Sequence, residues 1–262
     1  MIGLSITTVF LALGFLAPWI APYSPTKITG PAFAHPSWAH ILGTDDIGED
    51  IFSELIWATR GSLVVAFFAG GISVFLGTII GLNAGFRGQG TDEALMRITD
   101  IVLTLPLLPL LIVFSSYFTS SFLLVILVIG LLTWPMTARV IRSQTLSLKN
   151  RPFVDTSRLS GMTDREIMFK VILPNEISLA ILYGAFAAVS AVVLESGLDF
   201  IGLGSVTNLS WGVMLYFAQA RNALLIGAWW WFLPPGLMIA LLGTGLVLIG
   251  QAAERMGKRL NS

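Results

Sequence analysis

The sequence predicts an all-α, polytopic membrane protein with six transmembrane helices. Of its 262 residues, 55% are hydrophobic and only 11% are charged, and the mean hydropathy is +0.82. A soluble domain carries about 25% charged residues, so this composition excludes a cytosolic enzyme, a nucleic-acid-binding protein and a disordered chain. The apolar stretches are continuous, whereas a membrane β-barrel would show alternating strands of about ten residues. Cysteine is absent, which excludes disulfides and thiolate chemistry.

Six segments are long and apolar enough to cross the hydrocarbon core as helices, which takes about 20 residues. They are residues 2–20, 62–84, 98–118, 122–138, 177–197 and 224–249. Pro106 and Pro109 predict a kink or local unwinding in the third segment. The first segment has no Lys or Arg at its start and exceeds the apolar run of a signal peptide, so we interpret it as an uncleaved helix.

These segments divide the chain into a first transmembrane helix (1–22), an outer loop with a short amphipathic helix (23–61) and a five-helix core (62–262). Within the core, a long cytoplasmic loop covers residues 139–176. A moderately apolar outer loop at 198–223 is expected to lie at the interface or to re-enter rather than to span.

Basic residues are distributed unequally between the two sides of the membrane. Six spans place both termini on one side, and that side holds twelve of the fifteen: Arg87, Arg97, Arg139, Arg142, Lys149, Arg151, Arg158, Arg165, Lys170, Arg255, Lys258 and Arg259. The other side holds Lys27, Arg60 and Arg221, together with a group of acids from Asp45 to Glu54. Because cytoplasmic loops carry an excess of Lys and Arg, we expect both termini in the cytoplasm and the chain in the plasma or inner membrane.

The long cytoplasmic loop has the pattern of a folded segment. Pro152 suits the first position of a helix, Gly161 suits a left-handed cap that ends it, and Thr163 with Glu166 forms a capping-box pattern for a second helix. This second helix is expected to stop before Pro174. The residues expected to be exposed combine apolar and basic side chains: Leu159, Met162, Ile167 and Phe169 with Arg158, Arg165 and Lys170. Such a surface fits protein docking, and the alternative is a solvated loop whose apolar residues pack on the membrane helices.

Two stretches carry a family resemblance. The run from Asp155 to Gly161, followed nine residues later by Val171-Ile172-Leu173-Pro174, resembles the EAA loop of ABC importer permeases. Its glycine and Leu-Pro fall in register, whereas Asp155-Thr156-Ser157 replaces Glu-Ala-Ala. The outer loop resembles the signature of the oligopeptide/dipeptide/nickel permease family, through Gly43, Thr44, Asp45, Gly48, Asp50, Ser53 and Arg60. That family usually has Arg where Glu49 and Glu54 stand here.

Two further motifs extend the resemblance from about Pro36 to the C-terminus. Residues 195–204 and 211–215 are similar to the family's run from the fifth helix into the last outer loop, and residues 97–106 match a third-helix motif. The resemblance implies the type I ABC importer permease fold. It also implies these partners: a second permease subunit in a heterodimer, two ATPase subunits, an extracytoplasmic substrate-binding protein and membrane lipid.

The resemblance further implies that the EAA loop is a coupling helix that docks on an ATPase. Its candidate residues are Asp155, Arg158, Leu159, Gly161, Met162, Thr163, Arg165, Glu166, Phe169 and Pro174. No phosphate-binding loop of the G-x-x-x-x-G-K-[ST] type occurs in the chain. We therefore expect no cofactor and no catalytic residue in this chain, with ATP and Mg bound by the partner subunits.

Ionisable and aromatic residues near the spans are the candidates for a translocation path or gate: Asp100, Glu195, Asp199, Trp134 and Tyr216. The alternative for Asp100 is a helix-start acid at the inner interface. The alternative for Glu195 and Asp199 is a structural pairing with Arg60 or Arg221.

For the two histidines and the tryptophan run, we expect structural rather than functional roles. His35 and His40 lack a clear third ligand, so we expect loop surface rather than a metal site. The run Trp229-Trp230-Trp231 is expected to form an aromatic belt at the outer interface.

Three functional classes are compared. An ABC importer permease is favoured, with di- or oligopeptides as the first substrate class, oligosaccharides as the second and nickel as the third. A stand-alone secondary transporter or channel would show repeat symmetry and several buried ionisable groups. An intramembrane enzyme is disfavoured because no H-E-x-x-H motif is present and both histidines lie in the outer loop.

Overall fold

The computed structural model describes residues 1–117, 121–204 and 207–260, and every regular element within these ranges is helical. The α-helices are α1 (Ile2–Ile20), α2 (Ile51–Arg87), α3 (Gln89–Thr104), α4 (Leu107–Tyr117), α5 (Phe122–Lys149), α6 (Pro152–Leu159), α7 (Asp164–Glu166), α8 (Leu173–Phe200), α9 (Trp211–Ala220) and α10 (Trp229–Leu260). A π-helix, Ile167–Ile172, joins α7 to α8.

Five helices in the described residues are long and apolar enough to cross a membrane: α1, α2, α5, the continuous helix Asp164–Phe200, and α10. The consecutive helices α3 and α4 together would make a sixth, but they are bent by 74°. The predicted third segment, 98–118, is therefore broken at Leu105 and Pro106. Leu105 is extended because a residue that precedes proline avoids the helical conformation. Phe118 lies outside the described residues.

Several helices extend beyond their predicted boundaries. Helix α2 begins at Ile51 instead of residue 62 because the Asp50 side chain caps it, accepting a hydrogen bond from the Ser53 backbone N–H at 2.9 Å. The amphipathic helix expected within the outer loop is therefore the start of α2. A helix, α3, also replaces most of the expected polar loop after residue 84, with a single break at Gly88 (φ 67°).

The long cytoplasmic loop is also shorter than predicted. Helix α5 continues to Lys149 and α8 begins at Leu173, so only residues 150–172 connect them. Pro174 does not end a helix: it is the second residue of α8, directly after the π-helix, and the helix continues from Asp164 to Phe200. At the far end of the chain, α10 begins at Trp229 rather than residue 224.

Helix α2 is the central element and packs closely along α5. Three glycines at intervals of four residues, Gly77, Gly81 and Gly85, allow this approach. A Cβ at Gly81 would lie 2.9 Å from Ile141 Cβ, and one at Gly85 would lie 2.6 Å from Thr145 Cβ. Only glycine therefore fits between the two helices at these positions.

The bundle has two distinct ends. The terminal end holds Met1, Arg255 and residues 150–172. A buried apolar cluster lies there: Leu82, Phe86, Ile141, Leu148, Val154, Ile167, Met168, Ile172 and Ala180. The opposite end holds residues 21–50, 201–204 and 207–228.

The apolar core of the opposite end is aromatic. Its largest members are Phe10, Trp211, Trp230 and Trp231. Trp230 and Trp231 are buried inside the chain, so the predicted aromatic belt is wrong for these two, and only Trp229 is exposed. The short helix α9 packs into this core rather than spanning the bundle.

Candidate functional site: the loop at the terminal end

The loop between α5 and α8 (residues 150–172, the docking loop) is anchored by its apolar underside. Val154 of α6 and Ile167, Met168 and Ile172 of the π-helix are buried in the apolar cluster of the terminal end. Ile167 was expected to be exposed and is instead part of this anchor. Because each of these side chains faces the ends of α2 and α5, the loop is a packed extension of the bundle.

A glycine turn connects the two helical parts of the docking loop. Helix α6 ends in a Schellman motif, in which the N–H of Gly161 donates to Arg158 O at 3.0 Å and that of Met162 donates to Ser157 O at 3.2 Å. Gly161 has a φ of +80° and a Cβ there would meet no atom within 4 Å. The predicted left-handed cap is confirmed, and glycine is required for its backbone conformation rather than for space.

The predicted capping box is also present. The Thr163 hydroxyl oxygen accepts the Glu166 N–H at 3.3 Å, and the Glu166 carboxylate accepts the Thr163 N–H at 3.1 Å. Lys170 donates to the same carboxylate at 2.9 Å. These contacts hold the start of the second helical part in one orientation.

The outward surface of the docking loop combines one prominent apolar residue with charged ones. Leu159, the last residue of α6, is 90% exposed. Phe169 is also exposed, and Met162 is partly buried against the loop's own core. Among the predicted docking residues, the exposed polar ones are Asp155, Arg158, Thr163 and Arg165. The structure therefore brings together every predicted docking residue except Pro174, which lies further along α8.

Polar contacts join the docking loop and the helices beside it. The Arg158 guanidinium of the loop lies 5.9 Å from the Phe86 ring centroid. Lys149, the last residue of α5, donates a hydrogen bond to the Phe86 carbonyl at the end of α2. Inside the bundle, the Thr145 hydroxyl donates to the buried Glu176 carboxylate at 2.7 Å, joining α5 to α8. Sequence reasoning missed Glu176 because it placed this residue at the end of the cytoplasmic loop, whereas α8 begins at Leu173.

Two further ion pairs connect α3 to α5 on this side. Arg142 forms a bidentate pair with Asp92 at 2.5 and 2.6 Å. Arg139 pairs with Asp100 at 2.6 Å. Asp100 therefore lies in the last turns of α3, beside a basic partner, and the interpretation as a helix-start acid is wrong.

The acids near the end of α8 form a pair with each other. Asp199 accepts a hydrogen bond from the Ser210 hydroxyl at 2.6 Å and neighbours Glu195, one turn earlier. One Glu195 carboxylate oxygen, Oε1, is buried and has no hydrogen-bond partner. Both residues are buried at the opposite end of the bundle, so they are not exposed to a path in this chain alone.

The predicted arginine partners of these acids lie elsewhere. Arg221 pairs with Asp46 at 2.9 Å, and Arg60 stacks over the Trp57 ring at 5.2 Å. The expected pairing of Glu195 and Asp199 with Arg60 or Arg221 is therefore wrong.

The five residues proposed for a path do not all lie together in one site. Trp134 is buried within α5, and Tyr216 of α9 lies against Gly202. An open apolar groove of about 640 Å³ runs along the bundle between α4, α5 and α8. Its polar lining comes from Thr133, Thr137, Tyr183 and Ser190, none of which was singled out from the sequence.

The outer-loop motif folds around the start of α2. Thr44 is buried, donating to Pro31 O at 2.6 Å and accepting the Ala34 N–H at 2.8 Å. Gly43 and Gly48 have φ values of +71° and +92°. Asp50 is the N-cap of α2 and lies 2.9 Å from His40 Nδ1. His40 is therefore buried, and the expectation of loop surface is wrong for it.

Beside this motif, the carboxylates of Asp45, Glu49 and Glu54 have oxygens within 4.8 Å of one another. Burial raises the pKa of Asp45, and the charge of Asp46 acts in the same direction, while backbone N–H groups of Glu49 and Ile47 oppose it. Burial also raises the pKa of Glu49. Two charges at this separation repel by about 3 kcal/mol in the effective dielectric of a protein surface. The cluster is therefore costly when all three groups are ionised.

The long apolar helices, the open groove and the folded loop at the terminal end define a multi-pass membrane protein of the permease class. The chain belongs to the family described as the binding-protein-dependent transport system inner membrane component, which matches residues 73–256.

Relatives cover nearly the whole chain. A Brucella suis protein whose name describes a peptide permease is 35% identical over 239 residues, which is 90% of this chain and 79% of its own length. A dipeptide transport system permease protein of Alkalihalophilus pseudofirmus is 33% identical over 95% of this chain and 82% of its own length. An oligopeptide transport system permease protein of Lactococcus lactis is 32% identical over 96% and 88%.

Membership of this family identifies the chain as the membrane permease component of an ABC importer. Such a component is a multi-pass inner-membrane protein. It operates with ATPase subunits and a substrate-binding protein.

Proposed function

We propose that this chain forms half of a peptide-importing ABC transporter and couples transport to ATP hydrolysis through its docking loop. The observation that carries the proposal is Leu159, which is 90% exposed on a loop whose underside is buried in the bundle. An exposed apolar side chain on a rigid base fits a pocket on a soluble partner. In this account the ATPase partners bind ATP and Mg, and this chain has no catalytic residue.

The contacts of the docking loop would transmit a movement of the ATPase partner directly to the spanning helices. The loop continues through the π-helix into α8 without a break from Asp164 to Phe200. It is also joined to α2 and α5 by the buried apolar cluster, and to α2 by the contact of Arg158 with Phe86. Movement of the partner would therefore shift these helices as a unit, which is the requirement for alternating access between two packings of a bundle.

The substrate class follows from the relatives. The names of the three relatives described above refer to peptide, dipeptide or oligopeptide transport. We propose di- and oligopeptides as the substrate, delivered by an extracytoplasmic binding protein. Oligosaccharides, nickel and a stand-alone transporter are not favoured. The open groove between α4, α5 and α8 would be completed by a second permease subunit.

The proposed orientation places the terminal end in the cytoplasm. Arg139, Arg142 and Lys149 at that end, with the basic residues of the docking loop, agree with the positive-inside rule. Because the chain has no native cysteine, Leu159→Cys and Trp38→Cys each introduce one reactive site. We expect an impermeant maleimide to label Trp38→Cys in intact cells and Leu159→Cys only after lysis. Labelling of Leu159→Cys in intact cells would contradict the orientation.

The substitution Leu159→Asp tests the docking role. Replacing an exposed leucine leaves the fold intact, so the variant should reach the membrane at the wild-type level. We expect co-purification of the ATPase subunits and uptake of a labelled dipeptide to fall about tenfold, since loss of a central apolar contact costs more than about 1 kcal/mol. Leu225→Asp, at an 85% exposed leucine of the opposite end, is the matched control. Wild-type co-purification and uptake for Leu159→Asp would refute the docking role.

A further inference from the structure

A single glutamate, Glu176, is enclosed at the base of the docking loop. Its side chain is 0% exposed. It lies on α8 one turn after Ile172 and one turn before Ala180, and both of these belong to the buried apolar cluster of the terminal end. The carboxyl group is therefore surrounded by apolar side chains rather than by water.

No basic group compensates a charge at this position. Among the residues whose side chains are described, no Lys, Arg or His nitrogen lies within 4.0 Å of the Glu176 carboxyl group. The charged side chains of the surrounding elements have other surroundings: Arg87 of α2 is exposed, Arg142 pairs with Asp92, Lys149 bonds to the Phe86 carbonyl, Lys170 pairs with Glu166, and Arg151 and Glu254 line a separate polar cavity. A buried carboxylate without a counter-ion is strongly disfavoured.

The hydrogen bonds of Glu176 indicate a protonated carboxyl group. Its Oε1 lies 2.7 Å from the Thr145 hydroxyl, which also lies 2.9 Å from the Ile141 carbonyl. A hydroxyl has one proton and donates to only one of these two acceptors. Both contacts are satisfied together when the acid O–H of Glu176 donates to Thr145 and the Thr145 hydroxyl donates to Ile141. The second oxygen, Oε2, is buried without a hydrogen-bond partner among the described residues, which costs a neutral acid less than a carboxylate.

We propose, building on the proposed function of the docking loop, that Glu176 is a positioning residue for energy coupling, held as a neutral acid that joins α8 to α5 beneath the loop. Thr145 also packs against α2, because a Cβ at Gly85 would lie 2.6 Å from Thr145 Cβ. The contact therefore connects three spanning helices at the level where the loop enters α8. Release of the proton to solvent removes the bond from the acid O–H and leaves a charge among apolar side chains. The contact thus holds at low pH and loosens as the pH rises.

Infrared spectroscopy of the purified full-length chain in detergent tests the protonation directly, because a protonated carboxyl group has a C=O stretching band that an ionised one lacks. At pH 7 we expect this band in the difference spectrum of the wild type minus Glu176→Gln. The control Glu93→Gln, at a 75% exposed acid on α3, should give no such band. Absence of the Glu176 band at pH 7 would overturn the proposal.

The same band reports the partner of the acid. Thr145→Val removes the hydroxyl and should shift the band, whereas Thr145→Ser should restore its position. Thr99→Val is the matched control, at another buried threonine, whose hydroxyl donates to the Leu95 carbonyl at 2.8 Å, and it should leave the band unchanged. An unshifted band in Thr145→Val would overturn the assigned contact.

The pH profile of coupling distinguishes a positioning role from a merely structural one. The measurement is dipeptide uptake per ATP hydrolysed by the assembled transporter in proteoliposomes. We expect the wild-type ratio to fall about tenfold from pH 7 to pH 9, the scale of one buried polar group left without its partner. The ratio in Glu176→Gln, which keeps a donor and carries no charge, should be independent of pH. A constant wild-type ratio, or an equal fall in Glu176→Gln, would overturn the positioning role. Failure of the docking role itself would instead appear as wild-type ATPase co-purification in Leu159→Asp, with the infrared band of Glu176 unchanged.

Discussion

The two ends of the bundle differ in how their acids are paired. Near the terminal end, ion pairs join α3 to α5, as in Asp92–Arg142 and Asp100–Arg139, and the buried Glu176 has a hydroxyl partner. At the opposite end, Glu54 and Glu195 are buried beside other carboxyl groups, with no Lys, Arg or His of the described residues in salt-bridge contact. The formal net charge of zero therefore hides two different arrangements.

This difference suggests that the two ends are stabilised in different ways. The terminal end is held together internally, by close helix packing, ion pairs and a buried apolar cluster, so that an external partner can move it as one body. The opposite end contains acids whose charged form is disfavoured by burial and by neighbouring carboxylates, so its stability depends on the pH of the surrounding solution. The experiments below test each arrangement.

The largest expected effect comes from the close contact of α2 with α5 at the terminal end. Gly81→Leu would place a side chain where a Cβ already lies 2.9 Å from Ile141 Cβ. We expect a loss of about 3 kcal/mol in the free energy of unfolding, or failure to accumulate folded protein. Thermal unfolding in detergent measures it. Gly71→Leu, on the same helix but with no atom within 4 Å, should change stability by less than about 0.5 kcal/mol. Equal effects of the two substitutions would show that this contact does not hold the terminal end together.

A smaller effect is expected from the ion pair between α3 and α5. A double-mutant cycle of Asp92→Asn and Arg142→Gln should give a coupling energy of about 1 kcal/mol, because the pair is bidentate and partly buried. The exposed pair Glu93–Arg97, with an N···O distance of 3.7 Å, should give a coupling near zero. Chemical unfolding measures both cycles, and similar couplings would mean that burial does not distinguish the pairs.

The smallest expected effect is a pH dependence at the opposite end. Burial raises the pKa values of Asp45 and Glu49 above 3.8 and 4.5, so the folded state binds more protons than the unfolded state. Their contribution to stability is present below about pH 4 and is lost as the pH rises through the raised pKa values. Glu49→Gln should therefore gain stability relative to the wild type between pH 4 and pH 7. A constant difference across this range would contradict the raised pKa.

Much of the fold could be predicted from the sequence because long apolar runs and capping residues are local signals. The number of apolar segments, the break at Pro106, the cap at Gly161 and the capping box at Thr163 all follow from neighbouring residues. Helix lengths could not be predicted in the same way. The amphipathic segment 51–61 continues without a break into the span of α2 because its side chains pack on other helices, and that packing is tertiary.

The partners of individual side chains were the least predictable feature. Asp100 meets Arg139 from a helix 39 residues away, and Thr145 reaches Glu176 across the bundle. Two signals were available in the sequence. The spacing of Gly77, Gly81 and Gly85 indicates a close helix contact, and the run of acids from Asp45 to Glu54 indicates an acidic cluster.

Cross-linking at Leu159 tests the central claim most directly, since the chain contains no native cysteine. A photoactivatable cross-linker attached to Leu159→Cys reports which protein contacts the docking loop in the assembled transporter. We expect a covalent product with an ATPase subunit, whereas the same probe on Leu225→Cys should give none. The absence of an ATPase product at Leu159→Cys, or its appearance only at Leu225→Cys, would contradict the account.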